Sequence, residues 1–338
     1  MRKNKFVEQY NVKKHWIFFF PMLLYSIFTL KKNMPQIEPL YNKYVTHIEL
    51  LRNENILTET NNDYICPICL QKFSKEQISA LSLEDAPQDS LGGHKIAITC
   101  KDCNNSCGHI IDIHLVNFLK RLDEIDFVEG STRRIEIPDN GRKINAMLEV
   151  GNNKELKVIL PQKINNPQWL QEHINNIKEG NIIDIQNQRI DIDMKKVSTA
   201  ILKNAYIILF SHFGYSFLLD KHYDRIREQI KNPSRYIVPD LWTRQPVKIQ
   251  DGIYLSNDNR HRGFFIIYSC KYKTTRTHRF CSFIPTPLMP YEFAYHFFDE
   301  YEPNTPMYMQ TIFGDFIADT KAIKSIHKWV YSWEMKLK

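Results

Sequence analysis

The chain has 338 residues, of which 43% are hydrophobic and 25% are charged. This length allows two or three domains with hydrophobic cores, and the composition excludes a low-complexity or repeat protein. A net charge of +7 permits a polyanionic partner without requiring one. The charge is uneven, because the segment from Arg225 to Phe280 holds twelve Lys and Arg against four Asp and Glu. This segment is a candidate nucleic-acid contact, and an ordinary solvated surface is the alternative.

The N-terminus carries an uncharged apolar run from Trp16 to Leu30, between two lysine pairs. It is shorter than the roughly 20 residues that span a bilayer, Pro21 interrupts it, and no small-residue cleavage site follows. Three interpretations remain: an interfacial or membrane anchor, a buried helix, or sequence translated upstream of a true start at Met34, which we favour. We expect residues 1–35 to have no catalytic role, a membrane partner to be absent, and the protein to be cytoplasmic.

Hydrophobic periodicity predicts an α+β protein with the following elements in chain order. Helical spacing predicts helices over Ile37–Leu51, Ile110–Asp123, Pro167–Ile177, Val197–Phe213 and Tyr223–Lys231. Alternation of apolar residues predicts an antiparallel meander over 133–161 and a hairpin over 181–193. Phe264–Tyr272 and Arg279–Ile284 are predicted to be paired strands. We divide the chain into an N-terminal extension (1–35), a first domain (36–127), a small β-rich segment (128–194) and a mixed α/β C-terminal domain (195–338).

Two CxxC pairs, at residues 66–69 (CPIC) and 100–103 (CKDC), are the most specific motif of the chain. Two such pairs can supply four thiolates to one tetrahedral Zn²⁺, whereas disulfides or chance spacing are the alternatives. The other three cysteines show no pairing pattern, which suits free thiols in a reducing cytosol. The sequence therefore predicts a structural zinc site. Its ligands are Cys66, Cys69, Cys100 and Cys103.

The segment between the CxxC pairs predicts a hairpin that leads into a helix. Residues 83–93 (LEDAPQDSLGG) contain an acidic pair, a proline and a Gly-Gly turn. The apolar strand of residues 96–99 then enters Cys100, and Asn104 follows the second pair at the start of a helix. Zinc bound by both pairs would hold the base of the hairpin against this helix, and such binding contributes about 10–16 kcal/mol in small modules.

This order of motifs resembles the HNH endonucleases, the ββα-metal nucleases, in their zinc-knuckled branch. That branch has CxxC, an acidic-His pair followed by a proline, Gly-Gly, and a strand entering CxxCN. The resemblance covers about residues 66–115. It implies a ββα-metal domain and a divalent-metal-dependent endonuclease that hydrolyses phosphodiester bonds in nucleic acid, most simply double-stranded DNA. It also implies a catalytic Mg²⁺ or Mn²⁺ and a defence or mobile-element setting.

The resemblance assigns roles to individual residues. Glu84 matches the acidic metal ligand, and Asn104 matches the ligand at the helix start. Asp112, eight residues later on nearly the same helical face, is a further candidate ligand. Asp85 stands where the family has its histidine general base, and a carboxylate is a weaker base unless burial or Glu84 raises its pKa. The family's middle asparagine has no counterpart, and His94 could compensate as a catalytic group.

Two hypotheses follow from these departures. In the first, the chain is a nuclease with an Asp in the base position, and basic residues of the C-terminal region contact the nucleic-acid backbone. These residues are Arg225, Arg227, Lys231, Arg235, Arg260 and Arg262. In the second, the chain is a catalytically inactive zinc-stabilised module that binds nucleic acid or, through its C-terminal region, a protein partner.

Overall fold

The computed structural model describes residues 37–58, 61–178, 184–187, 191–244, 249–256, 261–294 and 309–332. The predicted N-terminal run, and residues 181–183 and 188–190 of the predicted hairpin over 181–193, lie outside these ranges. The helices are α1 Ile37–Asn53, α2 Lys101–Cys107, α3 Ile113–Ile125, α4 Pro167–Asn176, α5 Met194–Phe213, α6 Asp224–Lys231, α7 Tyr291–Ala294 and α8 Thr320–Val330. The strands are β1 Tyr64–Ile65, β2 Lys72–Phe73, β3 Leu81–Asp85, β4 Lys95–Cys100, β5 Thr132–Asp139, β6 Arg142–Val150, β7 Leu156–Ile159, β8 Gln186–Asn187, β9 Trp242–Arg244, β10 Gly252–Ser256, β11 Gly263–Cys270, β12 His278–Pro285 and β13 Met309–Thr311.

Helix α5 is the centre of the main hydrophobic core. Most of its residues are buried, as expected for a helix that is apolar on nearly every face. It contacts α3, α6 and β4 as well as strands β9, β11 and β12. One continuous core therefore joins buried residues of α1 and the CxxC region to buried residues between 197 and 330. The segments that the sequence analysis treats as a first and a C-terminal domain share this core.

The β-rich segment has a smaller core of its own. Strands β5 and β6 pair antiparallel around Asn140 and Gly141, whose φ angles of 47° and 78° suit a tight hairpin turn. The sheet order is β7-β6-β5-β8, and alternate residues face α4. The buried residues are Ile135, Ile137, Ile144, Ala146, Leu148 and Leu170. The predicted meander and the helix after it are confirmed, and the period of two explains why one face is buried.

The C-terminal part contains a five-stranded antiparallel sheet in the order β13-β10-β11-β12-β9. The predicted strand pair is confirmed as β11 and β12, with Phe265 opposite Phe283 and Ile267 opposite Cys281. Both strands are buried along nearly their whole length, and α5 packs against one face of the sheet. The protein is thus mixed α+β. In the part of the chain that the structure describes, no helix is both long enough and apolar enough to cross a membrane.

Candidate functional site

The four cysteines of the two CxxC pairs converge. Their Sγ atoms all lie within 4.8 Å of one another, and those of Cys69 and Cys100 are 3.7 Å apart. Tetrahedral zinc with bonds of about 2.3 Å requires sulfurs about 3.8 Å apart, whereas a disulfide requires about 2.05 Å. The thiols are free. The tetrad therefore has the composition and spacing to hold one zinc ion.

Backbone contacts organise this cysteine tetrad. The amide of Cys100 donates to the Cys66 sulfur and the amide of Cys103 donates to the Cys100 sulfur, each at 3.4 Å. Contacts of this kind orient thiolate ligands around a metal. Hydrogen bonds among the thiols raise the pKa of Cys66 and lower the pKa of Cys69. Tyr206 of α5 donates to the carbonyl of Pro67 at 3.0 Å, so the first turn is also fixed to the core.

The predicted hairpin between the cysteine pairs is present as strands β3 and β4. They pair antiparallel from Leu81 opposite Cys100, and the register shifts between Glu84 and Asp85. Such a bulge changes the direction of the side chains beside it. The turn is tightly packed, because a Cβ on Gly93 would lie 1.4 Å from the carbonyl oxygen of Pro87. Glycine is therefore required at this point of the turn.

A π-helical turn brings two of the predicted ligands onto one face. Helix α2 continues through the π turn Gly108–Asp112 into α3. Residues eight apart in an ideal α-helix are about 80° out of line. A π turn accommodates one extra residue, so Asn104 and Asp112 behave as residues seven apart and lie within about 20° of each other. The expectation that the two residues share a face is therefore met through the π turn, since a regular α-helix would leave them about 80° apart.

The hairpin and this helix enclose an open pocket of about 270 Å³. The four predicted oxygen-bearing site residues all line it: Glu84, Asp85, Asn104 and Asp112. Gln88 also lines the pocket, and its Nε2 donates to the Asp112 carbonyl at 2.9 Å. The side-chain Nδ2 of Asn104 donates to Ser82 Oγ and to the Leu83 carbonyl, and these bonds fix the orientation of the side chain.

Lys203 of α5 completes the site from the core side, and sequence reasoning did not identify it. Its ammonium bonds Glu84 Oε1 at 2.9 Å and Asp112 Oδ2 at 2.7 Å, and the residue is 1% exposed. Burial lowers the pKa of Lys203, but the two ion pairs outweigh burial and hold it above the ordinary value. Thr99 donates to Glu84 Oε2 at 2.9 Å. The sequence feature that could have identified Lys203 is its position as a charged residue within the apolar run of α5.

Lys203 is not among the residues that line the pocket, so it supports the carboxylates from behind. Asp112 bonds Lys203 through Oδ2 only, and its buried Oδ1 has no hydrogen-bond partner among the described residues. Gln88 Oε1 is buried and unpartnered in the same way. Two acceptor oxygens beside the pocket therefore lack a donor or a cation, which is costly for buried polar atoms.

The surroundings of Asp85 disfavour its charged form. Burial raises its pKa, Asp89 and Glu84 raise it further, and only Lys95 and Lys203 oppose this. Burial and Glu84 both shift the pKa of Asp85 in the direction that strengthens a carboxylate base. His94 is exposed and is not among the residues that line the pocket, although its carbonyl accepts from the Ala86 amide at 3.3 Å.

The predicted nucleic-acid-binding residues divide into buried and exposed side chains. Arg227 is 2% exposed and donates to Tyr206, Asp224 and two carbonyls, so its guanidinium is held inside the fold. Arg262 is also buried, lies over the Trp329 ring and donates to the Trp329 carbonyl. A phosphate backbone cannot reach either group without disrupting these contacts.

Three of the remaining basic residues are accessible. Arg225 lies over the Tyr291 ring and pairs with Glu292 at 2.5 Å, but its side chain is 41% exposed. Lys231 and Arg235 are exposed. Arg260 lies outside the described residues. A nucleic acid could therefore contact fewer of these basic residues than the sequence suggested.

Comparison with protein-family models, with curated proteins and with solved structures finds no match to this chain.

Proposed function

We propose that the chain is a divalent-metal-dependent endonuclease of the HNH type, acting on nucleic acid through the pocket between the hairpin and α2. The observation that carries the proposal is the convergence of Glu84, Asp85, Asn104 and Asp112 on one open pocket. The cysteine tetrad at the base of the hairpin supports it, because a structural zinc there would fix the two elements that supply these residues.

The donor set suits a hard cation. Carboxylate and amide oxygens are the ligands that Mg²⁺ and Mn²⁺ prefer. The unpartnered Oδ1 of Asp112 offers one such oxygen, and a carboxylate oxygen of Glu84 that already accepts one bond retains a further lone pair. When bound, the ion would stabilise the charge that builds on the phosphate and on the leaving oxygen. Lys203 would keep both carboxylates in place.

Asp85 would accept the proton of the attacking water. Its position in the register shift beside Glu84 places it in the pocket, and its raised pKa makes it a better base than an ordinary aspartate. Lys231 and Arg235 would contact the backbone of the nucleic acid at a distance from the pocket. The protein would therefore cut by positioning a phosphate between Asp85 and the metal ligands.

The test is a plasmid-nicking assay of the full chain with Mg²⁺ or Mn²⁺. We expect Glu84→Ala and Asn104→Ala to abolish nicking, and Asp85→Asn to reduce it by about 10²-fold or more. Glu129→Gln is the control, because Glu129 is an exposed carboxylate that neither lines the pocket nor shifts the pKa of Asp85. Nicking that survives Glu84→Ala, or that never occurs with any divalent ion, would refute the proposal.

A second function is favoured by Lys203. Its ammonium already forms ion pairs with both Glu84 and Asp112, so the pocket could be a scaffold without a catalytic ion. The protein would then be an inactive zinc-stabilised module that binds nucleic acid. This function predicts salt-dependent binding without cleavage, and gain of nicking in Asp85→His. Metal-dependent products from the unsubstituted protein would exclude it.

A further inference from the structure

A second cavity lies between α5, the segment 235–241 and strand β9. Its volume is about 150 Å³. A cavity of that volume in another protein accommodates benzene, so the space suits one six-membered ring. Its walls are mainly apolar and include Leu202, Val238 and Trp242. The cavity therefore has the size and lining of a site for a single aromatic ring.

One buried hydroxyl at this cavity makes no well-formed hydrogen bond. Ser282 lines the cavity and is 1% exposed, and its Oγ makes no hydrogen bond of ordinary geometry within the described part of the chain, although it interacts with the Tyr268 hydroxyl. Gln229, which also lines the cavity, is fully engaged. Its Nε2 donates to Thr199 and to a backbone carbonyl, and its Oε1 accepts from two backbone amides. A ring with a donor or acceptor edge would satisfy the Ser282 hydroxyl, which can both donate and accept.

The entrance to the cavity is cationic. Lys195 and Arg235 line it and are exposed, against the single exposed carboxylate of Asp240. Tyr236, which also lines the cavity, is 57% exposed. An anionic group attached to the bound ring can therefore rest near two cations in solvent, while exposed aromatic surface is available for stacking.

We propose that this cavity binds a pyrimidine nucleotide, with the base against Trp242 and Ser282 and the phosphate near Lys195 and Arg235. The volume of the cavity limits the ligand to a single ring. Ser282 favours a ring with a polar edge, and the two cations favour a ligand with an anionic group. The choice of a nucleotide among ring-bearing anions rests on the proposed nuclease function. The cavity itself is separate from the Glu84 pocket.

The experiment is calorimetric titration of the full chain with uridine monophosphate, adenosine monophosphate, uridine and inorganic phosphate. We expect uridine monophosphate to bind about tenfold or more tightly than adenosine monophosphate, because a second ring overfills the cavity. Ser282→Ala removes a buried hydroxyl that makes no hydrogen bond of ordinary geometry, so the variant should fold and should bind uridine monophosphate about 3- to 10-fold more weakly. Lys195→Met should weaken the binding of uridine monophosphate by about threefold and leave the binding of uridine unchanged. Lys321→Met on α8 should change the binding of neither ligand.

Equal binding of the two monophosphates, an unaffected Ser282→Ala variant, or no binding at millimolar concentration would overturn the proposal. A thymidine oligonucleotide distinguishes the source of the nucleotide, since tighter binding than the monophosphate indicates a single strand and equal binding indicates a free nucleotide. Glu84→Ala should retain uridine monophosphate binding. Failure of the nuclease proposal would therefore appear in the nicking assay, and failure of this one in the titration.

Discussion

Removal of metal from the cysteine tetrad should have the largest effect of any perturbation of this protein. Cys66 is fully buried, and its sulfur lies within 4.8 Å of the other three. Zinc bound by such sets contributes about 10–16 kcal/mol, whereas a folded domain is stable by only about 5–15 kcal/mol. We therefore expect Cys66→Ser, or chelation of the metal, to unfold at least residues 64–107 and to lower the Tm by more than about 10 °C.

The assay has two parts. Elemental analysis of the purified chain should give one zinc per molecule, and thermal unfolding should be measured with and without a chelator. Cys270→Ala is the matched control, because Cys270 is a buried free thiol in β11 and its variant should retain the full zinc content. Absence of zinc from the purified protein, or a Cys66→Ser variant with an unchanged Tm, would show that the convergence of the sulfurs is only packing.

Three further predictions concern the frame of the site. Gly93→Ala should destabilise the protein by about 3 kcal/mol in urea unfolding because of the clash with Pro87, whereas Gly108→Ala, which meets open space, should be neutral or stabilising by up to about 1 kcal/mol. Burial lowers the pKa of His47 to about 3, so the unfolded chain takes up a proton below about pH 6.5 while the folded chain does not. His47 alone should lower the free energy of unfolding by about 2 kcal/mol between pH 7 and pH 5, and His47→Gln should remove that part of the total change. A fragment of residues 36–127 should be insoluble on expression, since it lacks α5; a soluble, cooperatively folding fragment would contradict the shared core.

Local patterns were sufficient to predict much of the site. The CxxC spacing predicted the convergence of four sulfurs, because each pair forms one tight turn and the intervening hairpin returns the chain to its starting point. Period-two alternation predicted β5 and β6, and continuous apolar runs predicted β11 and β12. These signals depend on neighbours close in sequence, so they can be read without knowing the fold.

Long-range contacts could not be predicted in the same way. Lys203 is 91 residues from Asp112 and 119 from Glu84, and nothing in a helical pattern states which face meets a distant hairpin. The burial of Arg227 and Arg262 was missed for a related reason. A count of charges assumes that arginines face solvent, but both of these guanidinium groups bond to carbonyls inside the fold.

The buried ion pairs of Lys203 also explain why the hairpin cannot act apart from the rest of the chain. Glu84 is 2% exposed, and a buried carboxylate without a counter-charge costs several kcal/mol. Lys203→Met should therefore destabilise the protein by about 3–5 kcal/mol, while Lys195→Met on the exposed face of α5 should not. If the two variants unfold at the same urea concentration, Lys203 does not stabilise the pocket, and the carboxylates must be held by the hairpin alone.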